Sequence, residues 1–186
     1  PYPNTNIRNQ VHEQLTGLLN DGETLYYELV GYDGEKPIMS THSIPKDDIG
    51  AEISKQFTSP ITYSYGCKPG EFGIYVYKIT QQTSKGEILL GWEDTVRRVT
   101  ALGLQCVPTM SQLFFTTKED LLNTCMKLTM GAPDVIDPSH PLEGIVLRVE
   151  HPETRTQVYK YKSYVFSHLE GIKKNEDSYI DLEEVN

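Results

Sequence analysis

Lys160-Tyr161-Lys162 sets two ammonium groups two residues apart, and Glu143 stands upstream directly before Gly144. In an extended chain Lys160 and Lys162 share one face, while Tyr159 and Tyr161 point to the other. Ammonium groups side by side repel, so an anion between them is favourable, and a phosphate offers acceptor oxygens to both. The same pair also suits an exposed sheet edge guarded against strand pairing. Residues 142–149 and 158–163 are rich in aliphatic, β-branched and aromatic side chains, with His151-Pro152-Glu153-Thr154 as a turn between them. They read as neighbouring strands. Gly144 leaves room for close backbone approach, and an acid at Glu143 is wanted if a divalent cation accompanies the phosphate.

At these residues a resemblance appears. Glu143-Gly144-Ile145-Val146 followed by Lys160-Tyr161-Lys162 resembles motifs IV and V of the covalent nucleotidyltransferases, the superfamily of RNA ligases, DNA ligases and mRNA capping enzymes. Earlier in the chain, Tyr26-Tyr27-Glu28-Leu29-Val30-Gly31 resembles motif III in its RNA ligase form, and Gly73-Ile74-Tyr75-Val76-Tyr77-Lys78-Ile79 resembles motif IIIa. The four lie in the family's order, all on strand-like segments.

The resemblance implies an ATP-dependent RNA ligase that works by adenylyl transfer through a lysyl adenylate, with Mg2+ or Mn2+, and joins an RNA 5′-phosphate to a 3′-hydroxyl. Lys160 and Lys162 would then stabilise charge on the phosphates, and Glu143 would hold a hydrated divalent ion. Glu28 would meet the ribose hydroxyls or the metal's waters, and Tyr77 would stack on the adenine. Arg148 would reach a phosphate or pair with a neighbouring acid. Without the resemblance, Glu28 is a solvent-facing strand residue and Tyr77 a core aromatic. Relatives often carry an acid after that aromatic, and here Lys78 stands there.

Motif I, the Lys-x-Asp-Gly that carries the family's nucleophile, does not occur among the 186 residues. The expectation is therefore a piece of a larger ligase-like protein whose lysine-bearing N-terminal segment lies outside this sequence. Two other readings stand beside it: a DNA ligase or capping guanylyltransferase, and a non-catalytic nucleotide-binding or scaffold module. The Glu-Leu-Val-Gly form of motif III argues against the first. Two Asp-Gly-Glu triplets, at 21–23 and 33–35, imitate the DNA ligase form of that motif, but turn chemistry explains both.

The elements that must position these residues follow the hydrophobic pattern. Amphipathic spacing predicts helices over 6–20, 45–57 (with Pro45 at its first position), 92–103 and 118–130, and alternation predicts strands over 25–32, 72–80, 87–90 and 104–110. Arg97 and Arg98 fall on the outer side of the third helix, His140 in a surface loop, and Tyr164-Val165-Phe166 as a continuation of the last strand. The fold class is α+β, a ligase-type nucleotidyltransferase domain with antiparallel sheets lining a nucleotide cleft. That domain is expected over 1–166, incomplete at its N-terminus, with 167–186 as a charged tail or linker.

Composition is compatible with this. At 38% apolar residues, the chain can bury one sizeable core. A net charge of −9 is unusual for an RNA-binding protein, so its basic surface is local or lies in the missing segment. Cys67, Cys106 and Cys125 lack metal or disulfide spacing and read as core thiols of a reducing compartment. With no signal peptide and no run of 18 apolar residues, the expectation is a soluble intracellular protein, cytoplasmic or nuclear, with no membrane partner.

Overall fold

The computed structural model describes residues 5–115, 117–150, 156–172 and 182–184. It is a mixed α/β fold with antiparallel sheets, and the chain divides into two compact units, each made of two sequence segments. The first unit holds the residues up to 39 together with 64–108; the second holds 40–63 together with those from 109 onward.

In the first unit, helix α1 (Thr5–Leu15) precedes strands β1 (Glu23–Asp33) and β2 (Lys36–Pro37). Strands β3 (Phe72–Thr83) and β4 (Gly86–Leu89), helix α3 (Trp92–Ala101) and strand β5 (Gln105–Cys106) complete it, helix α2 (Asp48–Ile53) belonging to the other unit. Among the described residues the sheet order is β2-β1-β3-β4, with β5 added parallel to β3. Leu25, Tyr27, Leu29 and Ile74 face the helices: Ile7, Val11 and Leu15 of α1 pack on them, and Val99 of α3 packs beside Val76 and Ile79. The first helix ends at Leu15 rather than 20, which leaves Leu18 about half exposed. Both Asp-Gly-Glu triplets are at turns, with Gly22 at φ +75° and Gly34 at φ +60°. Arg98 does not face solvent as expected. Its guanidinium grips the Glu23 carboxylate with two bonds of 2.8 and 2.7 Å and donates to the Leu18 carbonyl, tying α3 to the start of β1. That bidentate bond holds the Glu23 carboxyl below its ordinary range.

In the second unit, α2 (Asp48–Ile53) is shorter than expected and does not begin at Pro45. Asp47 caps it instead, accepting from Gly50 N at 2.8 Å. Helix α4 (Lys118–Thr129) starts as its sequence indicates, with the Thr117 side chain accepting from Asp120 N. Strands β6 (Gly144–Val149) and β7 (Gln157–Lys162) pair antiparallel, and β8 (Leu182–Glu184) pairs with β7 on its other side. Tyr161 packs into the Leu121 and Cys125 face of α4, with Ile145 and Leu147 against it.

Helix α5 (Tyr164–Leu169) replaces the expected strand continuation. Ser163 caps it by accepting from Phe166 N, so the chain turns into a helix where Lys162 ends the strand. The division expected at 166 falls inside this helix, whose Ser167, His168 and Leu169 are buried. The turn expected at 151–154 and residues 173–181 of the tail lie outside the described residues. Burial raises the Cys106 and Cys125 thiols, and none of Cys67, Cys106 and Cys125 is in a disulfide. Among the described residues, no helix is long and apolar enough to cross a membrane.

Candidate functional site

Lys160 and Lys162 sit as the alternation requires. In the β6–β7 ladder Val146 is opposite Lys160, Gly144 opposite Lys162, and Arg148 opposite Val158. With Tyr161, Ile145 and Leu147 turned into the core, the other face of this pair carries Arg148, Lys160 and Lys162. Gly144 makes the register possible, since a Cβ there would strike the Tyr161 carbonyl oxygen. Glu143, one residue earlier, has Oε1 3.9 Å from Lys160 Nζ. Lys162 Nζ lies 3.0 Å from Glu170 Oε2. Of the two roles expected for Arg148, the structure shows the ion pair: Arg148 Nε donates to Glu150.

Each strand lysine thus has a carboxylate partner, and one sheet face gathers three cations. This arrangement can hold a multiply charged anion by exchanging carboxylate for phosphate oxygens. Among the described residues no three His, Cys, Asp or Glu side chains gather around a metal position. A single partly exposed carboxylate such as Glu143 is nevertheless a fitting protein share for Mg2+, which keeps several waters and takes substrate phosphates as ligands.

The first unit positions Glu28 and Tyr77 on the sheet face away from α1 and α3. Glu28 is exposed and opposite Tyr75. The ladder then slips: Tyr27 pairs with Val76 and Tyr26 with Lys78, which leaves Tyr77 as the extra residue of a β-bulge. The bulge explains why Val76 and Ile79, three apart, are both buried. It also puts Lys78 on the same face as Tyr77 rather than on the opposite one. Lys78 Nζ stands 4.7 Å above the Tyr26 ring, whose centroid is 6.3 Å from that of Tyr77. Burial, then the Glu28 charge, then Tyr26 raise the Tyr77 phenol above its ordinary value. Tyr77 is 37% exposed, so it is no plain core aromatic.

Two residues escaped sequence reasoning. Glu170 falls within the 167–186 segment expected as a tail, yet α5, capped by Ser163, carries it back to Lys162. His140, expected in a surface loop, is fully buried. Its ring is 4.5 Å from that of Tyr63, which in turn packs edge-on to Phe166 at 5.3 Å. Burial dominates the Tyr63 environment and raises its phenol strongly, with Glu143, Asp134 and Glu170 adding to the effect.

Compared with protein families, with curated proteins and with solved structures, the chain matches none of them.

Proposed function

We propose that this chain is the nucleotidyltransferase part of an ATP-dependent RNA ligase. The observation that carries the reading is the β6–β7 face, where Lys160 and Lys162 stand side by side, Glu143 is 3.9 Å from Lys160, and Arg148 follows on the same side. A cation pair with an adjacent carboxylate suits phosphate transfer assisted by a divalent ion, and these residues occur within the motif IV and V resemblance.

The overall reaction has three displacements. A lysine outside these residues attacks the ATP α-phosphorus, and the bond to pyrophosphate breaks. The adenylyl group passes to an RNA 5′-phosphate, and a 3′-hydroxyl then displaces AMP to form the phosphodiester. In each, negative charge grows on the phosphorus oxygens, and donors already fixed in place stabilise it without reorganisation. Lys160 and Lys162 are those donors. Glu143 would hold a divalent ion, and that ion, when bound, would offset phosphate charge. For Glu28 and Tyr77, which lie in the other unit, the motif III and IIIa resemblance implies contacts to ribose hydroxyls and to an adenine face.

The test is incubation of this chain, and of the longest natural form containing it, with α-labelled ATP and magnesium, followed by a denaturing gel. Covalent label on the longer form supports the ligase. Absence of label on both overturns it, and ATP binding that disappears in Lys160→Ala would then mark a binding module.

A further inference from the structure

Lys162 meets an incoming anion with a carboxylate already in place. The Lys162–Glu170 pair is at 3.0 Å with both side chains 30% exposed, and the ammonium also stands 5.6 Å from the Phe166 ring centroid. Local structure fixes this contact. Ser163 starts α5 immediately after Lys162, and Glu170 is the residue at the end of that helix, so one short helix returns the carboxylate to the strand end. The looser Lys160–Glu143 pair is at 3.9 Å. Glu143 and Glu170 both bear on the same buried phenol, Tyr63, so they share one electrostatic neighbourhood.

We infer that Glu170 is the resident counter-anion of Lys162, holding the ammonium until a polyphosphate displaces it and so setting the charge a ligand needs to occupy this face. The inference rests on the proposed reading of Lys160 and Lys162 as a phosphate-handling pair. An ammonium has three donors and no preferred acceptor plane. A phosphate oxygen can therefore take the place of the Glu170 carboxylate at the same donors. A monoanion brings no more charge than Glu170 already supplies, whereas a pyrophosphate group brings several charges to the same donors.

The test is calorimetric titration of the chain with inorganic pyrophosphate. Glu170→Gln keeps the shape and removes the charge, and should tighten binding roughly three- to fivefold, the scale of a partly exposed ion pair. In a Lys162→Met background the same change should give no gain. Unchanged or weaker binding in Glu170→Gln overturns the inference, because Glu170 would then be inert or would serve to hold Lys162 in place. Should Glu170→Gln fail to fold by circular dichroism, Glu170→Asp decides: tighter binding supports the counter-anion role, and unchanged or weaker binding overturns it. Adenylylation of the longest natural form is read separately. Tighter pyrophosphate binding without a lysyl label leaves Glu170 standing and removes the ligase, and a label without tightening does the reverse.

Discussion

The Ser163 hydroxyl donates to the Leu142 carbonyl at 2.7 Å while accepting from Phe166 N at 3.1 Å. One fully buried side chain thereby joins the residue before Glu143 to the residue after Lys162 and starts α5. Ser163→Ala should cost about 2–3 kcal/mol, since it removes a helix cap and leaves a buried carbonyl without its donor. Urea unfolding of the two proteins measures it, and a loss under about 0.5 kcal/mol, the scale of an ordinary surface change, would show that the bond carries no weight.

Gly144→Ala should destabilise the chain by about 1–3 kcal/mol, the usual cost of forcing atoms into a packed site. The new Cβ meets the Tyr161 carbonyl, so the strands must part where Lys162 is paired. Val146→Ala, on the same strand but 59% exposed, is the control and should stay within about 0.5 kcal/mol.

On the proposed ligase reading, Lys160→Ala and Lys162→Ala should each slow lysyl adenylate formation in the longest natural form by about 2.7–4 kcal/mol of barrier, as for one lost transition-state donor. Single-turnover labelling reads this directly. Effects below about tenfold at both positions would remove these lysines from the chemistry.

Tyr77→Ala should weaken ATP binding by about 1–3 kcal/mol if its ring stacks on a base, and Tyr77→Phe should retain most of the affinity because the π-face survives. Calorimetry on the pair separates stacking from a role of the hydroxyl.

Alkaline pH should destabilise the fold. Tyr63 and Tyr77 both have phenols raised by burial, so above the ordinary tyrosine value of about 10 the unfolded chain loses protons that the folded chain keeps. The stabilisation is complete below that pH and is lost as pH climbs toward the folded values, by at most about 1.4 kcal/mol per pH unit for Tyr63 and by less for Tyr77, whose partial exposure lets solvent screen the effect. Urea midpoints across this window should fall with pH, and less steeply in Tyr63→Phe.

The β6–β7 pair was legible because Lys160 and Lys162 alternate with Tyr159 and Tyr161 and the face of Tyr161 is buried, which fixes register. Helix α4 was legible from Thr117 and the spacing of Leu121 and Cys125. Helix α5 was not, since Tyr164-Val165-Phe166 favours a strand by composition and only the Ser163 cap and tertiary burial decide otherwise. His140 gave no sign of its burial, because a single loop residue has no period and Tyr63, its neighbour, is distant in sequence. The bulge in β3 was equally hidden: Tyr75, Val76, Tyr77 and Lys78 alternate plausibly as a regular strand, and the slip exists only relative to β1.

That slip makes Tyr77 a spare rung. Every neighbour has a partner across the ladder without it, Tyr75 with Glu28, Val76 with Tyr27 and Lys78 with Tyr26. A chain lacking this one residue could close into an unbroken ladder with the same side chains turned inward. The hydrogen-bonding scheme of the sheet therefore gives no reason to retain Tyr77, and what its ring does beyond the ladder must supply one.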